Sequence, residues 1–501
     1  MSTEQNVLAS RGPANPSLEE YDLVILGGGT GGTVAAWTFA GKGRRVAVIE
    51  RKYIGGSCPN IACLPSKNII HSAKIASYLR RSEEFGIARA RFSVDMGAVR
   101  ERKRRMVLGW NNAYLENYRK SGAEFIPGTG RFIGPKTLEV TQTDGTTRRL
   151  RATHVIINTG TRALVDSTPG LADARPLTHI EALELDKLPE QLLVIGAGYI
   201  GLEMAQAFRR FGSEVTIVER NARLMHREDD DVAQALQTLF EDEGIELVFH
   251  AKITRVSGKS GEFVRVFCQE DGKGTEKTLE ATHLLVAAGR EPNTQGIGLE
   301  LAGVELAENG YIKVNEHLET TAAGVWAMGE VAGSPQFTHV SVDDFRVVHD
   351  GITGGKRVTT GRQIPFCLFT DPEFARIGLN EKEARAQGIP YRLFKIPMEA
   401  VMRATTLSET RGFLKAVVER DGDRVIGFTA LGVGAGEIMT SVQIAMSAGL
   451  PYTTLRDMIL THPTLVEGLI PLFSSAARAQ ESSGQHDAAS VGSRILEATT
   501  D

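Results

Sequence analysis

The chain has 501 residues, of which 42% are hydrophobic and 24% charged, a composition typical of a globular protein with two to four domains. Its formal net charge of -4 argues against a nucleic-acid partner, and no secretory signal or long apolar run indicates export or a membrane partner. Because four cysteines are too few for a disulfide scaffold, we expect a cytoplasmic protein.

The first predicted unit follows a flexible tail at residues 1–20. An apolar strand, YDLVIL, runs into the turn GGGTGG and then into a helix that begins near Thr33. A second strand, RVAVIE, ends at Glu50. Glycines at such a turn let the backbone approach a pyrophosphate, and the acid binds a ribose. The pattern therefore predicts a dinucleotide site formed by Gly27, Gly29, Gly32 and Glu50.

A cysteine pair, Cys58 and Cys63, follows in GGSCPNIACLPSK. Two cysteines can form a disulfide only if their Cα atoms come within about 7 Å, so a distorted helical turn is expected here. Thiols near a helix N-terminus have a lowered pKa, which favours thiolate chemistry. There are two alternatives to a redox-active pair: the cysteines form half of a zinc site, or both are inert and buried. A redox pair is favoured because no second cysteine or histidine cluster lies near in sequence. The basic run RERKRR further on, at residues 100–105, is interpreted as a solvated helix face rather than an interaction patch.

The strand, glycine turn, helix and strand return in a second copy. QLLVI precedes GAGYIG, and the following strand again ends in an acid, Glu219. The first glycine and the acid are 23 residues apart in both copies, from 27 to 50 and from 196 to 219. This repeat predicts a second dinucleotide site, formed by Gly196, Gly198, Gly201 and Glu219. Glu219 would repel a 2′-phosphate and favours NADH, although the arginines that follow it leave NADPH as the alternative.

The rest of the chain contains buried-looking strands that end in glycine, among them VIINTG with Gly160 and LLVAAG with Gly289. Beyond residue 360, short strands mixed with helices indicate an α+β domain, and residues 476–501 are predicted to form a flexible tail. His462 and Glu467 lie in THPTLVE. A histidine of near-neutral pKa can shuttle protons and a carboxylate can orient it, but an isolated histidine is more often structural.

These motifs resemble the class I flavoprotein disulfide reductases, the family of dihydrolipoamide dehydrogenase, glutathione reductase and mercuric reductase. The family pattern GG-[ST]-C-x-N-x-G-C-x-P-[ST]-K is matched except at Ala62, and AAGREPNT, FTDPEFARIG and THPTLVE are further family-like blocks. The resemblance implies an α/β fold with two Rossmann-like dinucleotide-binding domains and a C-terminal α+β dimerisation domain. The implied boundaries are FAD-binding 21–165 and 290–360, NAD(P)-binding 166–289 and dimerisation 361–475.

The resemblance also implies residue roles. Cys58 would attack the substrate, and Cys63 would lie against the flavin as a thiolate. Lys67 and Glu203 would pair near the flavin, and Tyr199 would cover the nicotinamide site. Further cofactor-binding positions would be Gly130, Gly160, Gly289 and Glu330, the last in place of the usual aspartate. His462 and Glu467 would act as the acid–base pair contributed by the partner subunit of a homodimer.

The expected function is that of an FAD-dependent oxidoreductase without a resident metal. Electrons would pass from NADH, or NADPH, through FAD and the Cys58–Cys63 disulfide to a small disulfide or related acceptor. Three alternatives stay open: a metal-ion or quinone reductase, a dithiol oxidase running in reverse, and the flavoprotein subunit of a multienzyme complex. Pro59 and Ala62 depart from the family pattern and are expected to reshape the substrate side of the disulfide.

Overall fold

A computed structural model describes residues 17–89, 91–270 and 276–479. Most of both predicted tails, residues 1–16 and 480–501, lies outside the described residues. The remainder of the tail prediction is wrong at both ends. Residues 18–20 extend the first strand and pair with residues 149–151, and residues 478–479 form a short strand beside residues 392–393. In both places the backbone satisfies its hydrogen-bonding groups along a sheet edge, which the sequence pattern did not signal.

The first part of the chain forms a sheet flanked by helices. Its elements are β1 (Leu18–Leu26), α1 (Thr30–Ala40), β2 (Val46–Glu50), α2 (Ser57–Asn60), α3 (Cys63–Arg80), α4 (Met96–Ser121), β3 (Glu124–Gly134), β4 (Thr137–Gln142), β5 (Thr147–Ile157) and β6 (Thr161–Ala163). β1 lies between β2 and β5 and is parallel to both, while β4 joins β3 and β5 by antiparallel pairing. The glycine turn therefore leaves the carboxyl end of a central, buried strand, the usual place for a nucleotide.

The second part repeats this plan on a separate sheet. Its elements are α5 (His179–Ala182), β7 (Gln191–Ile195), α6 (Tyr199–Phe211), β8 (Glu214–Val218), α7 (Asp230–Asp242), β9 (Glu246–Val248), β10 (Ala251–Lys259), β11 (Phe263–Glu270), β12 (Glu276–Ala281), β13 (His283–Val286) and β14 (Arg290–Pro292). A parallel sheet has the order β13-β7-β8-β9, and an antiparallel one the order β10-β11-β12. β6 and β14, the outgoing and returning connections, pair antiparallel.

The chain then returns to the first sheet through α8 (Leu299–Ala302), β15 (Val325–Ala327) and α9 (Thr338–Ile352). β15 pairs parallel to β5, so two separated chain segments build the first unit. The predicted boundaries near residues 165, 290 and 360 fall in or beside these connections. As limits of independent domains they stay predictions.

The C-terminal part is an antiparallel sheet with helices, as predicted. Its elements are β16 (Phe366–Leu368), β17 (Glu373–Gly378), α10 (Glu381–Ala386), β18 (Tyr391–Pro397), α11 (Met402–Thr406), β19 (Phe413–Glu419), β20 (Val425–Gly432), α12 (Ala435–Ser447), α13 (Tyr452–Asp457), α14 (Leu469–Ser474) and β21 (Arg478–Ala479). The strand order is β16-β17-β20-β19-β18-β21. Short 3₁₀ turns occur at Ser82–Phe85, Gly329–Ala332, Met398–Ala400 and Val466–Gly468.

One apolar cluster joins these units beneath the redox motif. Ile69 and Ala73 of α3 pack with Leu202 and Phe208 of α6 and with Phe374 of β17, and all five side chains are buried. Burying large apolar side chains stabilises the fold by about 1.5–3 kcal/mol each, so this cluster holds α3 beside α6. Because α3 begins at Cys63 and α6 begins at Tyr199, the packing fixes the two helix starts that concern the site.

Most of the basic run on α4 is exposed, as the sequence suggested, but three of its residues form ion pairs with the second unit. Lys103 is buried and forms an ion pair with Glu184, and Arg104 binds the same carboxylate at 2.7 Å. Arg100 pairs with Asp186 at 2.9 Å. These acids come from a distant chain segment, so charge spacing within the run did not reveal them. The run ties α4 to the second unit.

Candidate redox site

The first glycine turn is closed by backbone packing. Gly27 has a φ of +100°, and a Cβ there would lie 2.4 Å from the carbonyl oxygen of Asn158. At Gly32, a Cβ would lie 2.6 Å from the carbonyl oxygen of Gly27. The Gly28 N–H donates to the Glu50 carboxylate at 2.8 Å. These positions require glycine, and the turn holds the acid beside it.

The second glycine turn repeats this geometry. Gly196 has a φ of +99°, and a Cβ on Gly201 would lie 2.0 Å from the Gly196 carbonyl oxygen. The Ala197 N–H donates to Glu219 at 2.9 Å, as Gly28 does to Glu50. A Cβ on Gly198 would meet no atom within 4 Å. The middle glycine therefore faces open space, which suits a pyrophosphate that approaches the backbone at a helix N-terminus.

A break between two helices shapes the cysteine motif. α2 ends at Asn60 and α3 begins at Cys63, and Ala62 between them has a φ of -131°. This confirms the expected distorted turn. Because that φ is negative, the position does not require the glycine of the family pattern. The motif is also held against the first glycine turn, since a Cβ on Gly56 would lie 2.5 Å from the Cα of Gly29.

The two thiols of the motif are unbonded and hydrogen-bonded to each other. The hydroxyl of Thr338, at the start of α9, lies 3.3 Å from the Cys63 sulfur. The hydrogen bond from Cys58, supported by Thr338 and the nearby Lys67 ammonium, lowers the pKa of Cys63 to about 6 in spite of burial. The same hydrogen bond and burial raise the pKa of Cys58. These interactions therefore favour Cys63 over Cys58 as the thiol that ionises first.

An ion pair lies next to the cysteines. The Lys67 ammonium contacts the two carboxylate oxygens of Glu203 at 2.9 and 2.7 Å, as expected. Glu203 is buried and also accepts a hydrogen bond from the Phe369 N–H at 3.0 Å. The ammonium lies 4.7 Å from the centre of the Phe369 ring. Three chain segments are thus joined around one compensated buried charge.

Tyr199 and Phe337 form an aromatic contact at the start of α6. Their ring centres are 5.7 Å apart, and burial raises the pKa of the Tyr199 hydroxyl. His339 stacks on Phe337 at 5.2 Å, with its Nε2 3.0 Å from the Pro365 carbonyl oxygen. The place of Tyr199 over the nicotinamide stays a prediction. His339 has a packing role.

Three of the remaining predicted positions lie at the crossing between the first two units. The Glu330 carboxylate accepts a hydrogen bond from the Thr161 hydroxyl and pairs with Arg290 at 3.3 Å. Gly160 has a φ of +65°, and a Cβ there would meet no atom within 4 Å, while Gly289 has a φ of +139°. The longer Glu330 side chain thus has protein partners of its own on the connecting strands.

Gly130 is buried within β3. A Cβ there would lie 2.8 Å from Leu26 and 3.1 Å from Ile49, side chains at the ends of β1 and β2. Packing alone accounts for a glycine at this position. Its place along FAD stays a prediction.

His462 and Glu467 form a pair within one segment of the C-terminal unit. The His462 Nδ1 lies 3.1 Å from Glu467 Oε1, and the Thr464 N–H donates to the other oxygen at 2.7 Å. The Thr464 N–H, with His462, lowers the pKa of Glu467. The imidazole side chain is 64% exposed, and its hydrogen-bond partner in the described chain is Glu467 rather than a cysteine. Glu467 therefore orients His462, and no hydrogen bond joins His462 to Cys58 or Cys63 of the same chain among the described residues.

Sequence reasoning missed two residues beside the thiols. Thr338 belongs to no motif and reaches Cys63 only through the return of the chain to the first sheet. Tyr114 of α4 lies where a Cβ on Gly55 would be 2.8 Å from its ring, and burial with the nearby Cys58 raises its pKa. The chain has two other cysteines. Cys268 is buried, whereas Cys367 is only partly buried and burial raises its thiol pKa.

Comparison with known proteins agrees with this geometry. The sequence profile of the pyridine nucleotide-disulphide oxidoreductase family matches residues 21–344, and that of the family's dimerisation domain matches residues 364–471. The chain belongs to this family. Class I pyridine nucleotide-disulfide oxidoreductases are FAD-dependent enzymes with NAD(P)H as electron donor, so the resemblance, the fold and the cofactors expected from the sequence are confirmed. The dimerisation domain supports a homodimer.

Relatives from several branches of the family cover nearly the whole chain. The probable pyridine nucleotide-disulfide oxidoreductase RclA of Escherichia coli is 35% identical over 468 residues, 91% of this chain and 99% of RclA. A mercuric reductase of Streptomyces lividans is 33% identical, covering 90% and 94%. The mitochondrial dihydrolipoyl dehydrogenase of Dictyostelium discoideum is 32% identical, covering 90% and 93%. These class I enzymes differ in what they act on, so family membership does not identify the acceptor.

Similar solved structures also come from more than one branch of the family. The Cu(II) complex of the HOCl-induced flavoprotein disulfide reductase RclA from Escherichia coli has a TM-score of 0.82 at 34% identity, covering 91% of this chain and 99% of that one. LpdA of Mycobacterium tuberculosis has a TM-score of 0.82 at 26% identity, covering 91% and 98%. Within the described residues, no helix has both the length and the apolar character needed to cross a membrane.

Proposed function

We propose that this class I flavoenzyme reduces a small disulfide with electrons from NADH, through Cys58 and Cys63. The observation that carries the proposal is the unbonded thiol pair at the start of α3, where the Thr338 hydroxyl lies 3.3 Å from the Cys63 sulfur. Together with the nearby Lys67 ammonium, this favours Cys63 as the more acidic thiol. In disulfide exchange the two thiols have different roles: Cys63 is the more acidic thiol and Cys58 the less acidic one. The first stores charge, and the second forms the bond to the substrate.

The two glycine turns are proposed to hold the two cofactors. The first turn, with Gly27, Gly29, Gly32 and Glu50, would hold FAD, and the second, with Gly196, Gly198, Gly201 and Glu219, would hold NADH. The open space at Gly198 and the closed turns at Gly27 and Gly196 fit such ligands. Lys67, Gly130, Gly160, Glu203, Gly289 and Glu330 are proposed as further cofactor contacts, with Tyr199 over the nicotinamide. When bound, FAD supplies the transfer of two electrons from NADH to the Cys58–Cys63 disulfide.

The protein's own residues account for the exchange. His462 of the partner subunit takes the proton from the Cys58 thiol as the Cys58 sulfur attacks one sulfur of the acceptor disulfide. The bond between the two acceptor sulfurs breaks, and the leaving sulfur takes the proton back from that histidine as the first thiol is released. Cys63 then attacks the Cys58 sulfur, which releases the second thiol and restores the Cys58–Cys63 disulfide. Two electrons leave the cysteine pair and two protons reach the products. We propose that His462 of the partner subunit, oriented by Glu467, delivers these protons.

Replacing the histidine tests this assignment. In His462→Gln, disulfide reduction is expected to fall by about 100-fold or more, because general acid–base catalysis typically contributes that much. Reduction of a quinone dye by NADH needs no thiol exchange and should keep its wild-type rate, which controls for folding and cofactor binding. Equal loss of both activities would show that His462 is structural.

Metal-ion reduction is the second candidate. The Cu(II) complex of the similar RclA structure and the similarity to mercuric reductases favour it. Here the Cys58–Cys63 dithiol would give up two electrons and two protons, reducing two Cu(II) to two Cu(I) as the disulfide forms. Cu(II)-dependent NADH oxidation that survives His462→Gln but fails in Cys58→Ser would favour this function over disulfide reduction. Activity measured with a panel of disulfides, metal ions, quinones and dithiols also tests whether the protein is a quinone reductase or a dithiol oxidase running in reverse. Co-purification with an acyltransferase core would support a role as the flavoprotein subunit of a multienzyme complex.

NADH is the proposed donor because Glu219 lies where a 2′-phosphate would be repelled. Its carboxylate is held by the backbone of Ala197 and by Asn221, whose N–H donates at 2.8 Å. The kcat/KM for NADH should exceed that for NADPH, and Glu219→Ala should narrow the difference. We also propose that the protein is located in the cytoplasm, because a cysteine pair in that reducing environment is more often catalytic than a structural disulfide. Cell fractionation tests this location.

A further inference from the structure

A polar cavity lies far from the redox site along the same helix. It has a volume of about 590 Å³ and opens where α3, α6 and α7 end. α3 has 18 residues, so its last turn is about 27 Å from Cys63 at its start. The charged residues that line the cavity are Arg80, Arg81, Arg209, Arg210, Arg411, Glu84, Asp242, Glu243, Asp371 and Glu409.

Three of these arginines form ion pairs with all five carboxylates. Arg81 binds Glu84 at 2.9 Å and Glu409 at 3.4 Å. Arg210 binds Glu243 at 2.7 Å and Asp371 at 2.5 Å, and Asp371 also pairs with Lys74. Arg411 binds Asp242 at 2.8 Å. Each acid on the wall thus has a cationic partner, although Arg81 and Arg210 are each shared by two carboxylates. The five arginines and Lys74 together exceed the five carboxylates by one positive charge.

The other two arginines are bound differently. Arg80 donates to the main-chain carbonyl of Arg210, and Arg209 donates to the carbonyls of Glu243 at 2.7 Å and Ser213 at 3.1 Å. In the described residues neither guanidinium forms an ion pair with a carboxylate. A guanidinium has five N–H groups, so most of the donors on both side chains are not used by these carbonyls.

Arg80 lies among other arginines, whose effect on its charge the nearby Glu243 carboxylate partly offsets. Burial, Arg209, Arg210 and Arg89 together lower the pKa of Arg80. The carbonyl ends of three helices offset part of this positive charge, but each carbonyl carries only a fraction of a unit charge. The cavity therefore has a net positive charge, and the unused donors of Arg80 and Arg209 lie on its wall.

We propose that Arg80 and Arg209 bind a phosphate group carried by a small molecule in this cavity. A phosphate offers several acceptor oxygens to two planar guanidiniums, and charge-assisted hydrogen bonds of this kind are short and strong. The cavity volume is within the range of small-molecule sites and exceeds what a phosphate alone would fill. The site is separate from the glycine turns and does not rest on the identity of the electron acceptor.

Equilibrium dialysis of the FAD-loaded protein against radiolabelled inorganic phosphate tests the site, at constant ionic strength. The double variant Arg80→Gln with Arg209→Gln removes both charges while keeping N–H donors for the carbonyls. Arg119→Gln is the matched control, because Arg119 is exposed on α4 and pairs with Glu116 at 3.5 Å. Wild type and control are expected to bind one phosphate per chain at the site, and the double variant at least tenfold more weakly.

Two results would overturn the proposal. One is the absence of phosphate binding to the wild type in the millimolar range. The other is unchanged binding in the double variant, which would place the phosphate at a glycine turn instead. If the double variant loses FAD or unfolds at a lower temperature than the wild type, phosphate binding by the single variant Arg80→Gln tests the proposal instead. The Arg80 side chain is exposed, so its replacement should leave the fold intact and still weaken phosphate binding severalfold.

Discussion

Thr338 offers a sharp test of how Cys63 acquires its charge. Thr338→Val removes a hydroxyl that lies 3.3 Å from the Cys63 sulfur and keeps the shape of the side chain. Hydrogen bonds to charged groups contribute about 1.5–3 kcal/mol, and a sulfur acceptor at this distance belongs at or below the lower end. A loss of about 1.4 kcal/mol corresponds to one pKa unit, so the pKa of Cys63 should rise by about one unit.

The assay follows the long-wavelength absorption that a thiolate next to oxidised flavin produces. In the wild type, two-electron-reduced enzyme should lose this absorption as the pH falls through about 6, because protonation removes the thiolate. The midpoint should lie about one unit higher in Thr338→Val and stay at the wild-type value in Thr338→Ser, which keeps the hydroxyl. A midpoint that is the same in the valine and serine variants would refute the role given to Thr338.

Two further predictions concern other parts of the fold. Gly201→Ala places a Cβ 2.0 Å from the Gly196 carbonyl oxygen and should distort the second glycine turn. The KM for NADH, measured by steady-state kinetics, should rise by roughly tenfold or more, while the flavin spectrum should show that FAD is still bound. An unchanged KM would contradict the assignment of this turn to NADH. Lys415 is 1% exposed and pairs with Asp229, Asp231 and Glu381. Asp231 also pairs with Lys395 and Glu381 with Arg385, so among the described residues Lys415→Met leaves only the buried Asp229 carboxylate without a cation. The loss should be about 3–5 kcal/mol in the free energy of unfolding measured with denaturant, and a much smaller loss would show that Asp229 is already solvated.

The sequence was sufficient to predict the parts of the site that depend on short-range geometry. In each copy the first glycine and the acid at the end of the next strand are 23 residues apart, and the cysteines with the broken helix lie within the single run from Gly55 to Lys67. Spacing over such short stretches encodes the arrangement. The Lys67–Glu203 pair was available only through the family resemblance, because 136 residues separate its members.

Contacts made by the folding of distant segments were not predictable in the same way. Thr338 reaches Cys63 because β15 returns the chain to the first sheet, and nothing near position 338 signals a sulfur contact. The partners of Lys103 and Lys415 are likewise acids from other units. The edge pairing of residues 18–20 was missed because polar residues at a strand end resemble a tail.

Anaerobic titration of the FAD-loaded protein with NADH, followed by thiol counting, tests the central claim most directly. If Cys58 and Cys63 accept the electrons, one equivalent of NADH should produce two new reactive thiols per chain together with the long-wavelength absorption, and Cys63→Ser should abolish both. Bleaching of the flavin by that first equivalent, with no new thiols, would show that the electrons stop before the cysteine pair and would contradict the account.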